Sequence, residues 1–184
     1  MAKKVCPIWI GWLLVSPVRK LFQNPDNILS SYIQKDMTVL DAGCAMGFFS
    51  LPAAHMVGPD GKVICVDLQE AMIRHLKRRA SKAGVIDRIE TRVCNEQSLL
   101  TDDLNEQIDF ALSVAVVHEV PNAPAFFSEV HKTLKPGCKF LLIEPRGHVT
   151  ADEFGETLII AENSGFRVIE QSIDRFGHIA VLEK

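Results

Sequence analysis

Val39-Leu40-Asp41-Ala42-Gly43-Cys44-Ala45-Met46-Gly47-Phe48-Phe49-Ser50 is the stretch on which the fold turns. An apolar β-run ends in an acidic residue, passes through small residues and opens a helix. Such a turn lets a ligand lie against bare backbone at a helix N-terminus. Gly43 and Gly47 permit positive φ and leave room that a side chain would fill. Outward from this turn, the next apolar run, Val63-Ile64-Cys65-Val66-Asp67, closes on a second carboxylate. Asp67 is placed to accept hydrogen bonds from both hydroxyls of a ribose, so the ligand implied is a nucleoside. G-x-G-x-x-G is absent from the turn, which argues against a dinucleotide fold.

The Asp-x-Gly-x-x-x-Gly turn and the acidic end of the second run resemble motif I and its partner in class I S-adenosylmethionine-dependent methyltransferases. Ala45 departs from the family, which usually has a third glycine there. A second match lies far along the chain. Leu134-Lys135-Pro136-Gly137-Cys138-Lys139-Phe140-Leu141-Leu142-Ile143-Glu144-Pro145 resembles the family's turn into its fifth strand. The resemblance spans residues 39–184. It implies an α/β, Rossmann-like, doubly wound seven-stranded sheet, mostly parallel with an antiparallel C-terminal hairpin. It also implies S-adenosylmethionine as cofactor.

Length and composition fit this. The 184 residues predict one domain over 1–184, with an N-terminal arm and helix at 1–36 and a cofactor-binding core at 37–184. Hydrophobic residues make up 47% and charged residues 23%, as in a globular protein. A net charge of -3 offers no general attraction to nucleic acid. Arg74, Lys77, Arg78, Arg79 and Lys82 read as the solvated face of one helix. The five cysteines are scattered, with no CxxC pair, so they predict neither a disulfide framework nor a metal site. A reduced, cytoplasmic protein is the expectation.

Taken in order, Lys3 and Lys4 precede an apolar run with Trp9 and Trp12, which mimics a secretory signal. No small-residue cleavage site follows, and the run is too short to span a bilayer. An apolar helix or arm near the cofactor mouth is expected. Asn24-Pro25-Asp26 starts a helix whose Ile28, Leu29, Tyr32 and Ile33 share one face. Helices are expected at 49–57, 69–83 and 122–134, and another after the capping box Thr150-Ala151-Asp152-Glu153. Strands are expected at 89–94, 108–117, 139–144, 166–172 and 178–182. The nearly unbroken apolar run 108–117 fits a central parallel strand buried on both faces.

Site residues follow from the resemblance. Asp41, Gly43, Cys44, Ala45 and Gly47 form the turn under the amino-acid tail, and Asp67 and Leu68 flank the ribose. Asn95, standing where the family usually has Asp, accepts from the adenine amino group, and the Glu96 N–H serves a ring nitrogen. The alternative for Asn95 is a turn that uses its amide for local backbone geometry. Ser113 and Val114 lie where the family places carbonyls near the methionyl ammonium. His118 is the candidate base, with Glu119 orienting it or holding a cationic substrate; equally, His118 caps the strand and Glu119 starts a loop. Glu144 and Arg146 also fall just beyond strand ends.

Methyl transfer needs orientation above all, and a base only when the nucleophile starts protonated. The Asn/Asp-Pro-Pro-aromatic signature of amino-group nucleic-acid methyltransferases is absent, which disfavours DNA or RNA. Trp9, Trp12, Phe48 and Phe49 favour a small, partly apolar organic substrate. A protein substrate, or a non-catalytic module that binds the nucleoside cofactor, are the two alternatives. The oligomeric state is left open.

Overall fold

The computed structural model describes residues 23–175 and 177–184. The segment with Trp9 and Trp12, and with it the expected arm, lies outside the described residues.

Strands and helices alternate along most of the chain. Helix α1 (Pro25–Leu29) is capped by Asn24, whose Oδ1 accepts from the Asp26 N–H at 3.0 Å. Then come β1 (Thr38–Ala42), α2 (Ser50–Met56), β2 (Lys62–Asp67), α3 (Glu70–Ala83), β3 (Ile89–Val93) and β4 (Ile108–Val114). Next are α4 (Ala123–Thr133), β5 (Leu134–Pro145), α5 (Ala151–Asn163), β6 (Arg167–Ile173) and β7 (Gly177–Glu183). The seven strands form one sheet in the order β3-β2-β1-β4-β5-β7-β6. β1 to β5 pair in parallel, and β7 runs antiparallel to both β5 and β6. This is the doubly wound sheet that the sequence predicts.

Strand alternation sends side chains to two apolar layers. One layer joins Val39, Val63, Phe110, Leu112 and Leu141 to α1, α2 and α3 through Leu29, Ala53 and Leu76. Tyr32 stacks on Phe110 there, with ring centroids 5.3 Å apart. The other layer joins Leu40, Ala111, Phe140 and Leu142 to α4 and α5 through Phe127, Val130 and Phe154. The capping box at Thr150 is complete, with Thr150 and Glu153 exchanging hydrogen bonds.

Two boundaries differ from expectation. The apolar run 108–117 stops being a strand at Val114, because Ala115 takes φ 60°, a left-handed conformation that breaks the ladder. Residues Val117–Glu119 then form a 3₁₀ turn. Pro136-Gly137, expected to precede the fifth strand, instead lies within β5. Leu134 already pairs with Ile108, and the register shifts before Phe110 meets Lys139. The shift absorbs the proline, whose missing N–H a regular ladder could not tolerate.

Candidate functional site

A cavity of about 280 Å³ opens at the carboxyl edge of β1, β2 and β4. Parallel α/β sheets bind ligands there, where neighbouring crossovers diverge. Asp41, Gly43, Cys44 and Ala45 border it from the first turn, and Asp67, Leu68, Asn95 and Glu96 from the second and third. Glu119 closes the side beyond β4, beside Val114, Ala115 and Val116.

Asp67 shows how the turn is held. Its Oδ2 accepts the Ala45 N–H and its Oδ1 the Gln69 N–H, both at 2.8 Å. Each oxygen keeps a second lone pair, so a diol can still donate to it. Burial raises the Asp67 carboxyl pKa, the two amides pull it back, and the Glu119 charge pushes it up again. Three further N–H groups of the turn are also engaged. Gly43 and Cys44 both donate to the Val66 carbonyl, at 2.8 and 3.0 Å, and Gly47 donates to Cys44 O at 2.9 Å. An incoming phosphate would find these donors taken.

The glycines have separate reasons. Gly43 has φ 88°, and a Cβ there would stand 2.2 Å from Val116 Cγ2. The first turn and the loop after β4 therefore interlock through a missing side chain. At Gly47, φ 79°, a Cβ would meet Leu51 Cδ1 at 2.6 Å and Leu76 Cγ at 3.1 Å. Gly47 is bound up with helix packing and does not border the cavity. Ala45 holds a left-handed φ of 46° despite its methyl group.

Asp41 is buried and accepts from Ser50 Oγ at 2.5 Å. Burial pushes its carboxyl up to about 7; Ser50 opposes the rise and the Asp67 charge adds to it. Burial likewise pushes the Cys94 thiol up to about 11 and the Cys44 thiol well above its usual range, with Cys65 beside the latter. Thiols held protonated are poor nucleophiles, so neither is suited to covalent catalysis.

Asn95 borders the cavity while its Oδ1 accepts from Gln97 and Ser98 N–H at 2.9 and 3.0 Å. The local turn thus uses the amide oxygen and leaves the NH2 side for a ligand. Ser113 is fully buried and does not border the cavity. Its Oγ is the one buried side-chain oxygen or nitrogen among the described residues without a hydrogen-bond partner. The β4 edge that does reach the cavity begins one residue later, at Val114.

His118 lies outside the cavity wall, next to Glu119. Its Nδ1 is hydrogen-bonded to Glu144 Oε2, and its Nε2 is 3.9 Å from Glu119 Oε1. The ring stacks on His148 with centroids 5.6 Å apart. Glu144 is 1% exposed, and its Oε1 accepts from Val116 and Val117 N–H at 3.1 and 2.8 Å. Arg146 donates to Asp174 O at 3.4 Å. Sequence reasoning missed Glu129, which borders the cavity and accepts from Ser98 Oγ and Leu99 N–H at 3.1 and 2.7 Å. The signal was present: Glu129 falls three residues after Phe126, on the inward stripe of α4.

Five carboxylates border the cavity, from Asp41, Asp67, Glu96, Glu119 and Glu129, and no lysine, arginine or histidine does. Such a lining favours a cation. S-adenosylmethionine, with a sulfonium, an ammonium and a ribose diol, fits this set of donors and acceptors.

A family model described as a methyltransferase domain matches residues 33–173, and the chain belongs to that family. That fold, in this family, is the one class I S-adenosylmethionine-dependent methyltransferases have. A demethylmenaquinone methyltransferase of Symbiobacterium thermophilum is 33% identical over 106 residues, covering 58% of this chain and 41% of that protein. An arsenite methyltransferase of Halobacterium salinarum is 34% identical over 100 residues, 54% of this chain and 25% of that protein. The chain thus spans less than half the length of these relatives. An S-adenosylmethionine-dependent methyltransferase from Aquifex aeolicus superimposes with a TM-score of 0.86, at 23% identity, covering 97% of this chain and 98% of that one. That likeness speaks for the fold.

Proposed function

We propose that this chain transfers the methyl group of S-adenosylmethionine to a small, partly apolar organic molecule. The acidic cavity carries the proposal, because five carboxylates meet no basic side chain along its wall. The bound cofactor supplies an electrophilic methyl carbon, and the protein positions it and excludes water.

Asp67 receives the ribose hydroxyls on its remaining lone pairs, with Leu68 beside the sugar. Glu96 N–H and the Asn95 NH2 face the adenine edge. Asp41 and the Gly43-Cys44-Ala45 turn take the amino-acid tail, with carbonyls at the end of β4, at or just beyond Ser113, facing the ammonium. Gly47 supports the turn from beneath. Phe48, Phe49, Met72 and Phe126 give the wall its apolar part, in keeping with an organic acceptor. His118 and Glu119 sit on the acceptor side, His118 as base and Glu119 at the rim. The two relatives above are named for small-molecule substrates, which supports the same class. Among the described residues Cys44, Cys65, Cys94 and Cys138 are unpaired, and no helix is long and apolar enough to cross a membrane. A reducing cytoplasm suits such a chain.

Calorimetry with S-adenosylmethionine and S-adenosylhomocysteine, coupled to methyl-labelled transfer into cell extract, tests the proposal. Binding plus label in the small-molecule fraction is expected. Label in precipitable protein would move the substrate to a polypeptide. Binding with no labelled acceptor would make the chain a cofactor-binding module.

A further inference from the structure

We infer that Glu129, on α4, reads the base of the cofactor: its Oε1 accepts a hydrogen bond from the 6-amino group of the adenine. The inference rests on the reading above and adds a binding residue from outside the turns that follow the strands.

The 6-amino group is a donor and needs an oxygen to face. Asn95, just beyond β3, has an amide oxygen with two lone pairs, and the main-chain N–H groups of Gln97 and Ser98 take both. Both partners are donors, so the amide cannot turn over and offer its oxygen to a ligand. What it presents to the cavity is its NH2, which suits a ring nitrogen and would meet the amino group donor to donor. The acceptor for the amino group therefore has to come from another residue of the wall.

Glu129 stands next to this turn. Its Oε2 accepts from Ser98 Oγ at 3.1 Å and from Leu99 N–H at 2.7 Å, and its Oε1 makes no hydrogen bond among the described residues. Ser98 thus touches both Asn95 and Glu129, and all three border the cavity. Burial first, then the Asp67 charge and last the Glu129 charge raise the Cys94 thiol. Both carboxylates therefore lie within electrostatic reach of the residue before Asn95, one placed for the ribose and the other for the base that the ribose carries. The remaining carboxylates are used or placed otherwise. Asp41 is closed over by Ser50, Glu119 lies beyond β4, and Glu96 is exposed where Glu129 is half-buried. Phe126, three residues earlier on α4, and Leu99 are buried and give a purine an apolar flank.

Glu129→Gln separates recognition from support. The glutamine oxygen still accepts from Ser98 and Leu99, so its NH2 stands where Oε1 stood and meets the 6-amino group donor to donor. Calorimetry with S-adenosylhomocysteine and its 6-deamino analogue, in which hydrogen replaces the amino group, gives the readout. The parent should bind the first about 10- to 100-fold more tightly, the scale of a hydrogen bond to a charged group. In Glu129→Gln that preference should vanish. S-adenosylhomocysteine should weaken by about the same factor, and the analogue should stay within about twofold of its affinity for the parent. A residue that only held the loop would cost both ligands alike. Equal losses, an undiminished preference or no preference in the parent overturns the inference. Should Glu129→Gln fail to fold, a crystal of the parent with S-adenosylhomocysteine carries the test. The 6-amino group is expected on Glu129 Oε1, and that group out of hydrogen-bond reach of Glu129 overturns the inference. No binding of either ligand by the parent would defeat the reading of the preceding section as well, whereas equal losses defeat this inference alone.

Discussion

The two sides of the cavity are built by opposite means. On the β1–β2 side, Asp67 ties Ala45 and Gln69, and the Val66 carbonyl collects two N–H groups of the first turn. Most of the partners there are backbone groups, and the tie from Asp67 to Ala45 spans 22 residues. On the β4–β5 side, a single buried carboxylate from a distant strand gathers Val116, Val117 and His118. One side is marked in the sequence by residue types at fixed spacing; the other, across a similar 26 to 28 residues, carries no such mark. Both sides lean on a neighbouring strand, but the first spreads its bonds over the Val66 carbonyl and the Asp67 carboxylate, whereas the second gathers all of them on Glu144.

Removing that side chain should have the largest effect. Glu144→Ala leaves one buried and one half-buried N–H group and an imidazole without their acceptor, and should lower stability by about 3–5 kcal/mol in urea unfolding. Gly43→Ala tests where the two sides touch. A methyl group 2.2 Å from Val116 Cγ2, on a residue at φ 88°, should destabilise by about 2–4 kcal/mol. Val116→Ala in the same chain should recover about half of this in a double-mutant cycle; additive losses would show that the two sides are not interlocked.

Asp67→Ala should weaken S-adenosylmethionine by about 1.5–3 kcal/mol in calorimetry, the scale of hydrogen bonds to a charged group. Unchanged affinity would remove Asp67 from the ribose site. Asp41 gives a pH signature. Its folded pKa of about 7 lies above the unfolded value, so its contribution to stability is complete below about pH 4 and lost as pH rises through about 7. Relative to the parent, Asp41→Asn should lack a downward slope of up to about 1.4 kcal/mol per pH unit across that window. Equal slopes in parallel urea melts would show Asp41 ionised throughout. The smallest effect is expected at Ala45→Gly. Relief of the left-handed φ offsets added chain entropy, so stability followed by thermal unfolding should stay level or rise by at most about 1 kcal/mol.

This contrast also explains what the sequence could disclose. The turn around Gly43, the carboxylate at Asp67 and the order of strands were legible because each rests on local pattern: apolar runs, acidic ends and glycines at fixed offsets. The partner of His118 was not. Glu119 is adjacent in sequence and reads as orienting the ring or holding a cationic substrate; the hydrogen bond of the ring's Nδ1 goes to Glu144, which only the pairing of β4 with β5 brings near. The end of β4 was missed for a related reason. Nothing in Ala115-Val116-Val117 marks a left-handed residue, and the loop exists because Glu144 captures its amides. Asn95 had two readings, and its amide oxygen turned out to serve the local turn.

The acidic wall has one more consequence. Under the proposed reaction, donating the methyl group would turn the sulfonium into a neutral thioether while the ammonium stays, so one of the two positive charges that the acidic wall favours would be lost. S-adenosylhomocysteine is therefore expected to hold less firmly than S-adenosylmethionine in this cavity.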